Sequence, residues 1–235
     1  MDTKEPGDES QQTDFTTILV STIHDVKNSL GLVLHTLDEV MEVCTPQECK
    51  VYDRFARLHY EAKRVSNDLV RLLSLYKIGN QQLLCNISDY LVADFLEDCQ
   101  AQNKPLLQMN GISVETECAD DLLWYFDTEL LAGVVNTVIN NALRYAQGRL
   151  KLVAREENGF LRLSVEDDGQ GYPETLLHGD ADAKRGVSFQ TGSTGLGLYF
   201  ASVVARMHEN QGRQGYVTIS NGGSYGGGCF SIYIP

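Results

Sequence analysis

Between Leu19 and Cys44 the apolar residues fall at Leu19, Ile23, Val26, Leu30, Val33, Leu37, Val40 and Cys44, in alternating steps of four and three. That spacing gives a helix one narrow seam, the a/d repeat of helices that pack in bundles. A helix is therefore predicted over 14–43, ending before Pro46, because proline disfavours the helical conformation of the residue ahead of it. A second track follows at Phe55, Leu58, Ala62, Val65, Leu69, Leu72 and Tyr76. Two long helices joined by a short turn make an antiparallel hairpin. One hairpin has too little partner surface to bury its own seam, so pairing with a second copy into a four-helix bundle is expected, and with it a homodimer.

On the shoulder of the first helix lies STIHDVKNSLG, Ser21 to Gly31. His24 follows a seam residue and so stands beside the core. Asn28 is one turn further on and about 40° away in helical phase, so the two share a face, with Asp25 flanking the histidine. Gly31 leaves that face uncrowded at a helix-propensity cost of roughly 1 kcal/mol. A lone histidine in such a place is ordinarily a solvated surface residue. The carboxylate and carboxamide beside it make this one a candidate.

A chain of 235 residues is enough for one large or two modest domains. The formal charge of −13 argues against a nucleic-acid partner, since neutralising phosphates needs a basic surface. No apolar run is long enough for a membrane span. Residues 1–13 are acidic and polar without an apolar core, so they read as a disordered leader rather than a signal peptide, and a cytoplasmic protein is expected. The six cysteines are scattered without a paired C-x-x-C, and buried free thiols are the default. Cys44 and Cys49 flank the hairpin turn, which leaves a redox or metal pair as the alternative.

After Ile78-Gly79 the heptads stop, which places a domain boundary between 79 and 80. A short strand is expected at 82–86, then a helix at 88–107 with Ser88 as N-cap. Strands at 112–117 and 122–126 precede a helix at 128–146. Strands at 150–156 and 160–166, a polar loop, a helix at 194–208 and strands at 216–220 and 229–234 complete an α+β domain over 80–235.

Three stretches of this domain carry chemistry. NTVINNALRYA, Asn136 to Ala146, puts carboxamides on an amphipathic helix that buries Val134, Val135, Val138, Ile139 and Leu143. VEDDGQGYP, Val165 to Pro173, breaks a strand into Asp-x-Gly-x-Gly, where Gly169 and Gly171 allow a tight turn. TGSTGLGLYFASVVARM, Thr191 to Met207, runs a glycine-rich loop into an apolar helix, offering backbone N–H groups to anionic oxygen. No Lys-Ser/Thr follows those glycines, so it is not a Walker A loop.

The order of these stretches resembles the core of two-component sensor histidine kinases, and the resemblance covers nearly all of the chain after residue 14. His24, Asp25 and Asn28 match the phosphoacceptor box on a dimerisation and phosphotransfer hairpin, 14–79. The second domain resembles a Bergerat-type ATP-binding domain, an α/β sandwich. The likeness implies that Asn141 presents its amide oxygen to Mg²⁺ on the triphosphate, with Arg144 and Tyr145 in the same box. It implies that Asp167 accepts the adenine amine over Gly169 and Gly171, and that Ser193, Thr194, Gly195, Leu196 and Gly197 form the second glycine box. A carboxylate accepts but cannot donate, which suits adenine's amine and opposes guanine's carbonyl. Where the family usually has a second asparagine, this chain has Thr137; Asn136 lies about 140° around the helix from Asn141 and is no substitute. The segment 174–190 matches the lid over the nucleotide, with Phe189 as its phenylalanine; Lys184 and Arg185 within it read as a solvated charge pair, with reach to phosphate as the alternative.

The resemblance implies an ATP-dependent kinase that phosphorylates His24 and passes the group to an aspartate of a response-regulator receiver domain. A reverse phosphatase activity, with Asn28 positioning water, and a separate sensor or input protein are also implied. Two alternatives stay open: a phosphotransfer adaptor with a degenerate ATP site, and a serine kinase of the anti-sigma type.

Overall fold

The computed structural model describes residues 8–43, 49, 51–79, 85–177 and 196–235; within these, the side chains of 8–20, 24, 53 and 77–79 are not described. The chain divides into two compact units, Met1–Leu83 and Leu84–Pro235.

In the first unit, helix α1 (Asp8–Val43) is followed by helix α2 (Tyr52–Gly79). The helical backbone begins at Asp8, so residues 8–13 continue the first helix instead of forming part of a disordered leader. The two helices pack side by side, and Asp38 of α1 meets His59 of α2 at 2.9 Å. Ile23 and Ala56 are buried, whereas Val26 and Val33 on α1 and Leu58, Val65 and Leu72 on α2 stay exposed. Much of the apolar seam is thus uncovered within one chain. Cys49 is disulfide-bonded, against the default of a free thiol; Cys44, the other member of the redox or metal pair offered as the alternative, lies outside the described residues, and Cys85, Cys99, Cys118 and Cys229 are free.

The second unit is a mixed α/β layer structure. It opens with β1 (Ser88–Leu91), α3 (Val92–Met109), β2 (Ser113–Glu117), β3 (Leu123–Phe126) and α4 (Thr128–Ala142). There follow β4 (Arg149–Glu157), β5 (Phe160–Asp167), the short α5 (Glu174–Leu177), α6 (Leu196–Met207), β6 (Glu209–Asn210), β7 (Arg213–Gln214), β8 (Tyr216–Asn221) and β9 (Gly228–Ile234). The five-stranded sheet has the order β2-β4-β5-β9-β8; β2 runs parallel to β4 and the other pairs are antiparallel. The strand expected at 82–86 falls partly outside the described residues, and 85–87 are not in a strand.

The helix expected from Ser88 starts instead at Val92, and Leu91 at its N-cap makes no side-chain cap bond. Ser88 to Leu91 pair with Phe126 to Leu123 as an antiparallel ribbon. The reason is packing: Tyr90 and Phe95 bring their rings against buried Phe126, with centroids 6.2 and 5.0 Å away. That contact outweighs a serine's capping preference, which is worth about 1 kcal/mol. The helix α4 also ends at Ala142, short of the expected 146, where residues 143–145 turn away.

Alternation builds the core. Leu150, Leu152 and Ala154 of β4, Leu161, Leu163 and Val165 of β5, and Phe230, Ile232 and Ile234 of β9 are all buried and in register on one face of the sheet. The packed helices α3, α4 and α6 bury Phe95 and Leu96, Leu131, Val134 and Val138, and Phe200, Ala201 and Val204. Asn103 of α3 donates to Asn136 of α4 at 2.6 Å, and Asn136 donates to Gln102 at 3.2 Å, so two helices are tied by a short amide chain.

A buried histidine ties the start of α4 to the end of α6. His208 is 1% exposed; its Nδ1 donates to the Val204 carbonyl at 2.8 Å and its Nε2 accepts from the Asp127 N–H at 3.0 Å. Asp127 in turn caps α4 by accepting from Leu130 N at 2.9 Å and holds Asn86 N at 2.8 Å. Desolvation lowers the His208 pKa, outweighing the raising effects of the Val204 carbonyl and the Asp127 charge. The neutral ring is therefore the folded form: its stabilisation is full above the free value of about 6.5 and is lost as the pH falls through the lowered value. Urea unfolding midpoints should fall between pH 7.5 and 5.5, and His208→Gln should flatten that slope; an unchanged slope in the variant would place the titration elsewhere.

Candidate functional site

The face of β5 that carries Leu161, Leu163 and Val165 ends in a carboxylate. Asp167 is the next residue of the alternation, so the strand delivers a charge to the layer between sheet and helices, where it is 9% exposed. A buried charge must be paired or hydrogen-bonded. Here Oδ1 accepts from Gly169 N at 2.8 Å and from Gly228 N at 3.0 Å, and the Asp167 carbonyl accepts from Gly227 N at 3.1 Å. Two chain segments far apart in sequence thus hold one oxygen, and no hydrogen bond among the described residues occupies Oδ2.

The glycines are there because nothing larger fits. A Cβ on Gly169 would stand 2.3 Å from the Tyr145 carbonyl oxygen, one on Gly227 2.4 Å from the Asp167 carbonyl oxygen, and one on Gly228 2.8 Å from Asp167 Oδ2. Gly171 has φ +78°, and Asn221 closes the turn after it, accepting from Tyr172 N at 2.6 Å and donating to the Tyr172 carbonyl at 2.9 Å. Gly169→Ala should cost about 1 to 3 kcal/mol, as overpacking against backbone does. A urea midpoint equal to that of the parent protein would mean that the turn yields more easily than this contact implies.

The second aspartate of the motif has a separate task. Asp168 Oδ1 accepts from Gln147 N at 2.8 Å and Gly148 N at 3.1 Å, fixing the turn after α4 to the turn after β5. Desolvation opposes its ionisation, but the backbone N–H groups of residues 147 to 149 hold its carboxyl below the ordinary value. Arg149 adds a contact at 3.5 Å and lies over the Tyr225 ring.

Asn141 is exposed on the last turn of α4, and its carboxamide faces the start of α6: a Cβ on Gly197 would meet Asn141 Nδ2 at 3.5 Å and the Thr137 methyl at 2.9 Å. Thr137 is 1% exposed and spends its hydroxyl on the Gly133 carbonyl at 2.6 Å. Position 137 therefore packs α4 against α6. Asn136 is turned to α3 by the amide chain described above and does not replace the missing asparagine.

Of the remaining expected residues, Arg144 and Tyr145 are exposed in the turn beyond α4, and the Tyr145 carbonyl supports Gly169. Leu196 and Gly197 open α6, while Ser193, Thr194, Gly195, Lys184, Arg185 and Phe189 lie outside the described residues. In the first unit, His24 lies within α1 with its side chain outside the described residues; Asp25 and Asn28 are exposed on the same helix. The second unit thus gathers Asp167, Gly169 and Gly171 at one turn and Asn141 with Gly197 at one helix junction. Asn221 and Tyr172 were not anticipated as parts of the site. The triple glycine 226–228 signals a tight turn in the sequence, but only the structure shows that it packs against Asp167.

Oxygen is what a hard divalent cation takes, and Mg²⁺ keeps several waters. The exposed carboxamide of Asn141 beside Gly197 offers one such oxygen, which suits an ion held mainly by a bound phosphate chain.

Residues 126–235 match the family described as histidine kinase-, DNA gyrase B-, and HSP90-like ATPase. Sensor protein DivL of Caulobacter vibrioides is 29% identical over 185 residues, covering 77% of this chain and 23% of that protein. Sensor-like histidine kinase SenX3 of Mycobacterium tuberculosis is 24% identical over 197 residues, covering 79% of this chain and 47% of that one. The structure of histidine kinase AdeS of Acinetobacter baumannii superposes with a TM-score of 0.59 at 21% identity, over 88% of this chain and 95% of that chain. The chain spans about a quarter of the length of the first relative and about half of the second. Among the described residues no helix is long and apolar enough to cross a membrane.

Proposed function

We propose that this chain is the catalytic core of a two-component sensor histidine kinase, binding ATP in Leu84–Pro235 and phosphorylating His24 of Met1–Leu83. The observation that carries the reading is Asp167: a carboxylate on the helix-facing side of the sheet, with one oxygen held by two glycine N–H groups and the other left to accept. Membership of residues 126–235 in an ATPase family and likeness to sensor kinases over most of the chain support it.

Asp167 would bind the adenine amine, and Asn141 would hold Mg²⁺ through its amide oxygen. When bound, that ion neutralises charge on the phosphates, the main requirement of phosphoryl transfer. The start of α6 at Leu196 and Gly197 would meet phosphate oxygen with its N–H groups. A neutral ring nitrogen of His24 attacks the γ-phosphorus, the bond to the bridging oxygen breaks, ADP leaves, and Asp25 takes up the imidazole proton. The phosphoryl group then passes to an aspartate of a receiver-domain partner, and Asn28 is the group placed to orient water in the reverse, phosphatase direction.

The exposed seams of α1 and α2 favour a homodimer in which two hairpins share a four-helix bundle. A cytoplasmic location and a separate input protein accord with that assignment. Incubation with γ-labelled Mg-ATP should yield a label lost in acid and kept in alkali, as a phosphoramidate behaves. Acid-stable label would point to a hydroxyl acceptor and a serine kinase; absence of label with intact binding would point to an adaptor.

A further inference from the structure

One glycine lies between two polar groups, Asp167 Oδ2 and the Tyr172 hydroxyl, that have no hydrogen-bond partner among the described residues. A Cβ on Gly228 would lie 2.8 Å from Asp167 Oδ2 and 3.2 Å from Tyr172 Cε2, the ring carbon next to the one that bears the hydroxyl. Among the described residues Tyr172 makes its hydrogen bonds through its backbone alone, to both ends of the Asn221 carboxamide. The ring is half-buried, and its hydroxyl is not among the sealed, unsatisfied atoms. Asn221 clamps the peptide on both sides, and Gly171 has φ +78°, so the backbone that carries the phenol is held by the fold.

Burial first, and then the charge of Asp167, push the phenol's ionisation well above its ordinary value. At neutral pH it is an O–H donor. The recess therefore holds an acceptor, Asp167 Oδ2, and a donor, the Tyr172 hydroxyl, on either side of Gly228. The pairing edge of adenine carries a donor, the exocyclic amine, next to an acceptor, N1; guanine carries an acceptor next to a donor.

Resting on the ATP-site reading above, we propose that Tyr172 is a specificity-determining residue for the base, its hydroxyl donating to N1 of adenine while Asp167 accepts from the amine. Guanine in the same place would set its carbonyl against the carboxylate and its N1–H against the phenol hydrogen. The test pairs ATP with 1-deaza-ATP, in which N1 is replaced by C–H, titrated by calorimetry into the wild type and Tyr172→Phe. The phenylalanine keeps the ring that packs on Gly228 and removes only the hydroxyl. The wild type should bind 1-deaza-ATP roughly five- to tenfold more weakly than ATP, the worth of about one neutral hydrogen bond. Tyr172→Phe should lose affinity for ATP by that factor and bind the two nucleotides alike. A variant that keeps the wild-type preference for ATP, or a wild type with no preference, overturns the role of Tyr172 while leaving the ATP site standing. Failure of the wild type to bind ATP overturns the site and this role together.

Discussion

His24→Ala is expected to reduce phosphoryl label from Mg-ATP to background while leaving nucleotide affinity unchanged. The two properties separate because they belong to different compact units, Met1–Leu83 and Leu84–Pro235: the residues proposed to hold the base, the Mg²⁺ and the phosphates lie in the second, and His24 contributes only the attacking nitrogen. An imidazole nitrogen is a nucleophile at neutral pH, and the exposed carboxylate and carboxamide at Asp25 and Asn28 are poor replacements. Asp25→Asn should be milder, slowing labelling by roughly 10² or more, as loss of a general base does. Undiminished labelling of His24→Ala would move the acceptor elsewhere in the chain.

Asp167→Asn should produce the second large effect, a loss of nucleotide affinity of roughly ten- to a hundredfold, the worth of one charge-assisted hydrogen bond. The substitution is informative because of how the carboxylate is held. An asparagine oxygen can keep the bonds from Gly169 N and Gly228 N, which fixes its NH₂ at the place of Oδ2. A donor then faces the adenine amine, itself a donor. The fold should survive, so the thermal midpoint of the apo protein is the control. Unchanged affinity in a calorimetric titration would remove Asp167 from the base pocket.

What could be read from the chain beforehand follows the range of the forces involved. The heptads of α1 and α2 are local and long, and both helices are present, although the first starts at Asp8 instead of 14. Asp167 was legible because a carboxylate interrupts an alternating apolar strand and two glycines follow it. The ribbon of β1 with β3 was not, because its cause is the burial of Phe126, contacted by rings from two other elements. Asn221 and Gly228 were also out of reach as partners. They come to the turn after β5 only because β9 pairs with β5 and β8 with β9, and no spacing near residue 167 records that. Thr137 shows the opposite failure: a departure visible in sequence, whose meaning as a packing contact with Gly197 needed the third dimension.

The claim that a purine pocket in one unit serves an imidazole in the other is tested most directly by locating the phosphoryl group. Tandem mass spectrometry under alkaline conditions, on protein incubated with Mg-ATP, should place a single phosphoryl group on the peptide containing Ser21 to Lys27, on a nitrogen of His24. A phosphoryl group on a serine, threonine or tyrosine oxygen, or none at all on protein that binds ATP, would contradict it.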